Sequence, residues 1–122
     1  MSTFKCIEEI ETWKEAVELA VDVYRITDLD PFKHDFSLKD QLRRSAISIS
    51  SNIAEGFERE THKEFIRFLF FAKGSCGELR SQLYVSQRIG FLDENIYDRL
   101  KNRCKMLSSK IQSLINYLKS VK

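Results

Sequence analysis

The side chains able to do chemistry are few, and their spacing decides what they can do. There are two histidines, His34 and His62, and three cysteines, Cys6, Cys76 and Cys104, with no C-x-x-C pair. Neither histidine has a cysteine or carboxylate at metal-ligand spacing. A di-iron helical site needs Glu-x-x-His on two helices, whereas Glu58 and His62 are separated by four positions across an expected turn. No metal and no cofactor is therefore expected. Gly74-Ser75-Cys76-Gly77 resembles a nucleophile motif in composition only, because no strand precedes it to build a strained strand-to-helix elbow. The phosphate-cradling loops G-x-x-x-x-G-K-[ST] and G-x-G-x-x-G are absent. Glu55, Glu58, Glu60 and Glu64 crowd together with Arg59 and Lys63, an acid–base arrangement in principle. Interspersed opposite charges at a helix junction are ordinarily surface pairs. An enzyme is the least favoured class.

What remains is electrostatic. Arg43 and Arg44 lie off the apolar stripe of one helix, and Arg59, Lys63 and Arg67 follow around a corner and along the next. A guanidinium is a planar fork suited to phosphate, and a helix N-terminus such as that expected at Thr61 adds N–H donors. These five are the candidate nucleic-acid-binding residues for RNA or DNA. Phosphate-directed, shape-directed contact is expected rather than base reading. The chain's charge is +2, but residues 1–36 carry a balance of −5 and residues 37–122 one of +7. That asymmetry permits a polyanion partner without requiring one.

The elements that would position these residues are helices. With 43% hydrophobic and 31% charged residues the chain reads as a globular protein, and four Gly with one Pro among 122 residues disfavour a turn-rich β fold. Apolar periodicity gives helices near 9–28, 38–56, 62–89 and 94–120, forming a single all-α domain over 1–122, an antiparallel up-down-up-down four-helix bundle. In the first, Ile10, Trp13, Ala16, Val17, Ala20, Val23, Tyr24 and Thr27 share a face. In the second, Leu38, Leu42, Ala46, Ile49 and Ile53 do, with Ser37 as N-cap and the serines Ser45, Ser48, Ser50 and Ser51 allowing a neighbour to approach. In the fourth, Ile96, Leu100, Leu107, Ile111, Leu114, Leu118 and Val121 form a near-heptad seam with Arg103 filling one step. Lys101, Lys105 and Lys119 mark a solvated outer face.

The third helix is apolar all round. Phe65, Phe68, Leu69, Ala72, Cys76, Leu79 and Leu83 suffice for a core, yet Ile66, Phe70, Phe71, Tyr84, Val85 and Ile89 lie outside that stripe. Such a helix is central in a large protein, in a membrane, or at an interface. Charges at Arg67, Lys73, Glu78, Arg80 and Arg88 exclude a membrane span. The oligomer-interface candidates are Ile47, Ala54, Ile66, Phe70, Phe71, Gly74, Tyr84 and Ile89, with Gly74 and Gly77 expected at a close backbone contact. Gly90 is expected to end the helix. No secretory signal is visible, and reduced thiols in a cytoplasmic protein are expected, with Cys76 and Cys104 as small core residues.

The wording of the central stretch is specific. Phe36-x-Leu38-x-x-Gln41-Leu42-Arg43-Arg44-Ser45-Ala46-x-Ser48-Ile49, then Asn52-Ile53-Ala54-Glu55-Gly56, then Phe65-x-x-Phe68-Leu69-x-x-Ala72-x-Gly74-Ser75 and Glu78-Leu79 resemble the proteins encoded in intervening sequences of bacterial large-subunit ribosomal RNA genes. Ser45, Ser50-Ser51 and Cys76 stand where that family often has Ala, Pro-Ala and Leu. The resemblance implies a homopentamer of four-helix bundles around a central channel, with no enzymatic activity or cofactor. It also implies kinship with the basic accessory protein of diversity-generating retroelements, which associates with nucleic acid and a reverse transcriptase. Two readings follow: a non-catalytic oligomer binding structured RNA, or a scaffold that docks a protein partner.

Overall fold

The computed structural model describes residues 4–121. Four long helices, α1 (Glu11–Thr27), α2 (Phe36–Phe57), α3 (His62–Arg88) and α4 (Glu94–Ser120), pack around one hydrophobic core, with short 3-10 turns at Ile7–Glu9 and Phe32–His34. No strand occurs among the described residues. No helix among them is long and apolar enough to cross a membrane.

Helix ends follow local chemistry. α1 begins two residues later than its periodicity predicts, because Ile10 is extended and only 1% exposed, buried ahead of the helix instead of within it. α2 begins earlier than expected. Its cap is Asp35 and not Ser37: the carboxylate Oδ1 accepts the Leu38 N–H at 3.1 Å, satisfying a donor the first turn leaves open. α3 and α4 start as expected, with Thr61 Oγ1 accepting from Glu64 N–H at 3.1 Å and Asp93 Oδ1 from Ile96 N–H at 2.8 Å. Gly90 ends α3 at φ +85°, where the Phe91 N–H reaches Ser86 C=O and the Gly90 N–H reaches Gln87 C=O. This double closure needs the left-handed backbone that glycine adopts without a Cβ penalty.

The core contains the expected stripes with two corrections. In α4 the buried seam is Leu100, Cys104, Leu107, Ile111, Ile115 and Leu118: Cys104 is the small core residue the sequence suggests, while Ile115 takes the step expected of Leu114 and Arg103 leaves the seam. Steps of three and four keep those six on one face of an unsupercoiled helix, and Arg103 turns outward to pair with Asp22 on α1. In α1, Leu19 is buried, whereas Tyr24 is 41% exposed.

α2 and α3 make the most extensive helix–helix contact. Small side chains explain it. At the corner between them, a Cβ on Gly56 would stand 2.9 Å from Phe65 Cδ1 and from Phe68 Cβ, so only hydrogen fits. Further along, Ser75 Oγ donates to Ser48 Oγ at 2.9 Å, and Asn52 Nδ2 donates to Ser48 C=O at 2.8 Å. The serine-rich flank of α2 thus meets α3 through Ser48, whose half-buried hydroxyl accepts from Ser75, while Ser50 turns back to the Ile47 carbonyl. Gly74 and Gly77 are both exposed, and a Cβ on either meets nothing within 4 Å. They make no close contact within the chain.

Candidate nucleic-acid interface

The five candidate cations do not form one patch. Arg43 is committed to the fold: Nε donates to Thr27 Oγ1 at 2.9 Å, Nη2 donates to Tyr24 C=O at 3.2 Å, and the guanidinium lies 4.3 Å from the Tyr24 ring centroid. Asp28 stands 3.9 Å away. Arg43 therefore adds a charged donor at the C-terminal end of α1, where positive charge is favoured, on a Tyr24 carbonyl that also accepts from the Asp28 N–H at 3.1 Å. Sequence spacing could show that Arg43 left the core stripe, but not that the end of α1 would meet it there. Arg44, one residue on, is exposed with no ion-pair or hydrogen-bond partner among the described residues. Along α2 it stands roughly 20 Å from the corner at 1.5 Å per residue.

At the corner the other three do come together. Arg59 and Arg67 both lie over the Phe68 ring, at 4.8 and 5.3 Å from its centroid, and Arg67 is also 5.2 Å from that of Phe71. Phe68 and Phe71 meet edge to face. Each arginine has a carboxylate beside it, Glu55 for Arg59 at 3.4 Å and Glu64 for Arg67 at 3.3 Å, all well solvated. The acid–base crowd seen in sequence thus resolves largely into surface ion pairs. Lys63 sits in the first turn of α3, exposed and with no partner among the described residues. Flat guanidiniums held on a ring lose less freedom when they bind an anion than free side chains do.

The interface candidates are also distributed. Ile47, Phe70, Phe71, Tyr84 and Ile89 are between 43% and 52% exposed. Ile47 borders Tyr24, Asp40 and the arginine pair on the α1–α2 side. Ile89, with Val85 at 47% exposed, instead borders Leu38 across the α2–α3 groove, a cleft of about 610 Å³. Phe70 and Tyr84 face α4. Ile66 and Ala54 are half-buried, and Ile66 packs against the core.

A basic region spans α3 and α4 that neither helix reveals by its own sequence. In sequence, Lys73 and Arg80 appear only as interruptions of an apolar run, and Lys101, Lys105 and Lys119 only as a solvated face. Positions 70, 73, 77, 80 and 84 of α3 and positions 101, 105, 108, 112 and 119 of α4 each recur at steps of three, four or seven, a signal legible only once the helices are known to be neighbours.

Cys76 and Cys104 line the buried side of the same seam. Burial pushes both thiols up to about 12; at Cys76 the neighbouring Cys104 adds to the rise, and at both the Arg80 charge opposes it. Such thiols are protonated and poorly nucleophilic. Among the described residues, no three histidine, cysteine, aspartate or glutamate side chains come together as a metal site would require.

No curated protein matches the chain. Among solved structures, a protein of unknown function from the S23 ribosomal protein family of Bacteroides thetaiotaomicron is 23% identical. It superposes with a TM-score of 0.77 over 85% of this chain and 97% of that one. The likeness shows a shared fold. The model of the 23S rRNA-intervening sequence proteins matches residues 8–113, nearly the whole length, and the chain belongs to that family.

Proposed function

We propose that this chain is a non-catalytic protein whose antiparallel, up-down-up-down bundle assembles with copies of itself and binds structured RNA through phosphates. The observation that carries the binding is the α2–α3 corner, where Arg59 and Arg67 share the Phe68 ring beside the free Lys63 and the open end of α3. Two oriented forks, an ammonium and helix N–H groups form a receptor for phosphate oxygens. The family's description names 23S rRNA intervening sequences, which makes RNA the first polyanion to try. Repetition of the corner in a homo-oligomer, five copies in the family the sequence resembles, would convert weak contacts into avidity. Self-association is supported by the outer face of α3, where Phe71, Val85 and Ile89 are 46%, 47% and 52% exposed. A cytoplasmic location suits both parts of the proposal.

The test is a salt titration of binding to an RNA hairpin, with native mass measured in parallel. Wild-type protein should bind at low salt and lose affinity steeply as salt rises. Arg59→Ala with Arg67→Ala, and separately Lys63→Ala, should weaken binding at unchanged native mass. Salt-insensitive binding, or none at low salt, overturns the proposal. A protein that stays bound after nuclease treatment would favour the scaffold reading instead.

A further inference from the structure

The seam between α3 and α4 carries a second arrangement of charge and aromatic surface. Contacts along it run in opposite order on the two helices. Lys119 Nζ lies 5.6 Å from the Phe70 ring centroid, Lys73 Nζ donates to Gln112 Oε1 at 2.8 Å, and Tyr84 and Tyr97 are 6.0 Å apart. Lys101 Nζ stands 5.3 Å from the Tyr97 ring centroid, and Arg88 Nη1 donates to Tyr84 Oη at 3.4 Å. An aromatic ring thus marks each end of a track roughly 21 Å long, taking 1.5 Å per residue from Phe70 to Tyr84. Phe70 is 45% exposed and Tyr84 49%.

Between those ends the track is cationic. Arg80 and Lys105 are exposed, and neither has an ion-pair or hydrogen-bond partner among the described residues. Lys73 and Lys119 are engaged only by a neutral amide and a ring, so their charge is uncompensated. Acidic residues sit at one end alone: Asp98, paired with Lys101 at 3.4 Å, and Glu94 one turn before it. Gly77, midway along α3, presents open space. The corner arginines lie elsewhere on α3, over Phe68 and Phe71.

We propose that the α3–α4 seam is a track for a single-stranded polynucleotide, its phosphates on Arg80, Lys105 and Lys73 and its unpaired bases stacked on Phe70 and Tyr84. The inference rests on the reading that this protein binds nucleic acid, and it adds a second surface with a different preference. Charge complementarity selects a polyanion. Exposed rings at both ends select one with free base faces, because the bases of a duplex are already stacked on each other. Contacts of this kind tolerate any sequence, since every base has a face to stack.

The test uses a fluorescently labelled oligouridylate of about 12 nucleotides, within the span a small binding domain covers, and a hairpin duplex of similar charge. Arg80→Glu with Lys105→Glu should weaken oligouridylate binding by at least about tenfold and flatten its salt dependence. Tyr84→Ala should weaken it by roughly tenfold with little change in that dependence. Both variants should keep wild-type helical circular dichroism and native mass. Unchanged oligouridylate affinity in these variants overturns the track, as does a loss accompanied by altered mass, which assigns the residues to assembly. If the hairpin is still lost on Arg59→Ala with Arg67→Ala, the corner reading stands by itself. Failure of wild-type protein to bind either probe at low salt removes both.

Discussion

Arg43 on α2 donates from Nε to the Thr27 hydroxyl at 2.9 Å, while Thr27 itself donates to the Val23 carbonyl at 2.7 Å. Thr27 is 1% exposed, so the relay is sheltered from water. A half-buried guanidinium here ties the end of α1 to α2 through the Thr27 hydroxyl and the Tyr24 carbonyl. Arg43→Ala should cost about 1–2 kcal/mol of stability, read from the urea midpoint. Arg43→Lys should recover little of it, since one ammonium cannot reach hydroxyl and carbonyl in the geometry of the fork. RNA affinity should change little. A large loss of affinity at unchanged stability would return Arg43 to the binding surface.

Gly56 and Gly77 are both helical glycines and should respond in opposite directions. A Cβ at Gly56 meets Phe65 Cδ1 and Phe68 Cβ at 2.9 Å and the Phe65 carbonyl oxygen at 3.1 Å, partly backbone and therefore unable to yield cheaply. Gly56→Ala should destabilise the protein by about 1–3 kcal/mol through overpacking. A Cβ at Gly77 meets nothing within 4 Å, so Gly77→Ala should gain about 0.5–1 kcal/mol from helix propensity. Denaturant midpoints of the two variants check both signs.

Much of this was legible in the sequence, for reasons that differ by element. The buried stripe of α2 and the caps Thr61 and Asp93 follow from periodicity and local hydrogen bonding, which adjacent residues determine. Arg103 shows where that logic ends: it adjoins Cys104 and its spacing fits the seam, but Asp22 on α1 draws its charge outward. The candidate site divides the same way. Side-chain type marked Arg43, Arg59 and Arg67 as phosphate binders, but α1 claims the first and the Phe68 ring gathers the other two. The seam of Lys73, Arg80 and Lys105 depends on two helices being neighbours, information no single helix carries.

The two core thiols link stability to pH. Burial raises Cys76 and Cys104 to about 12, above their ordinary value of 9.0, so the folded state holds its thiol protons where the unfolded chain releases them. Their contribution is complete below pH 9 and is lost as pH rises from about 9 toward 12. At pH 10 the loss should be about 1 kcal/mol for each thiol. Urea midpoints at pH 7 and pH 10 measure it, and Cys76→Ala with Cys104→Ala should remove that part of the slope. The same burial predicts that Cys6, exposed near the start of the described chain, is modified by a thiol reagent under native conditions well ahead of Cys76 and Cys104.

Self-association and strand binding, as proposed, use different sides of α3 and should separate. Val85 and Ile89 border the α2–α3 groove with Leu38, whereas Phe70 and Tyr84 meet residues of α4. Both apolar residues are about half exposed, so a carboxylate at either can remain solvated within one chain and becomes costly only if another copy covers it. Val85→Glu with Ile89→Glu should therefore leave the urea midpoint of the single chain within about 0.5 kcal/mol while reducing the native mass to that of one chain. Affinity for an oligouridylate short enough to occupy one seam should persist. Affinity for a long RNA, which several copies can grip together, should fall by a larger factor because avidity is lost. An unaltered mass would remove this face from the assembly, and loss of short-strand binding together with the mass would mean that the α3–α4 track is completed by a neighbouring copy.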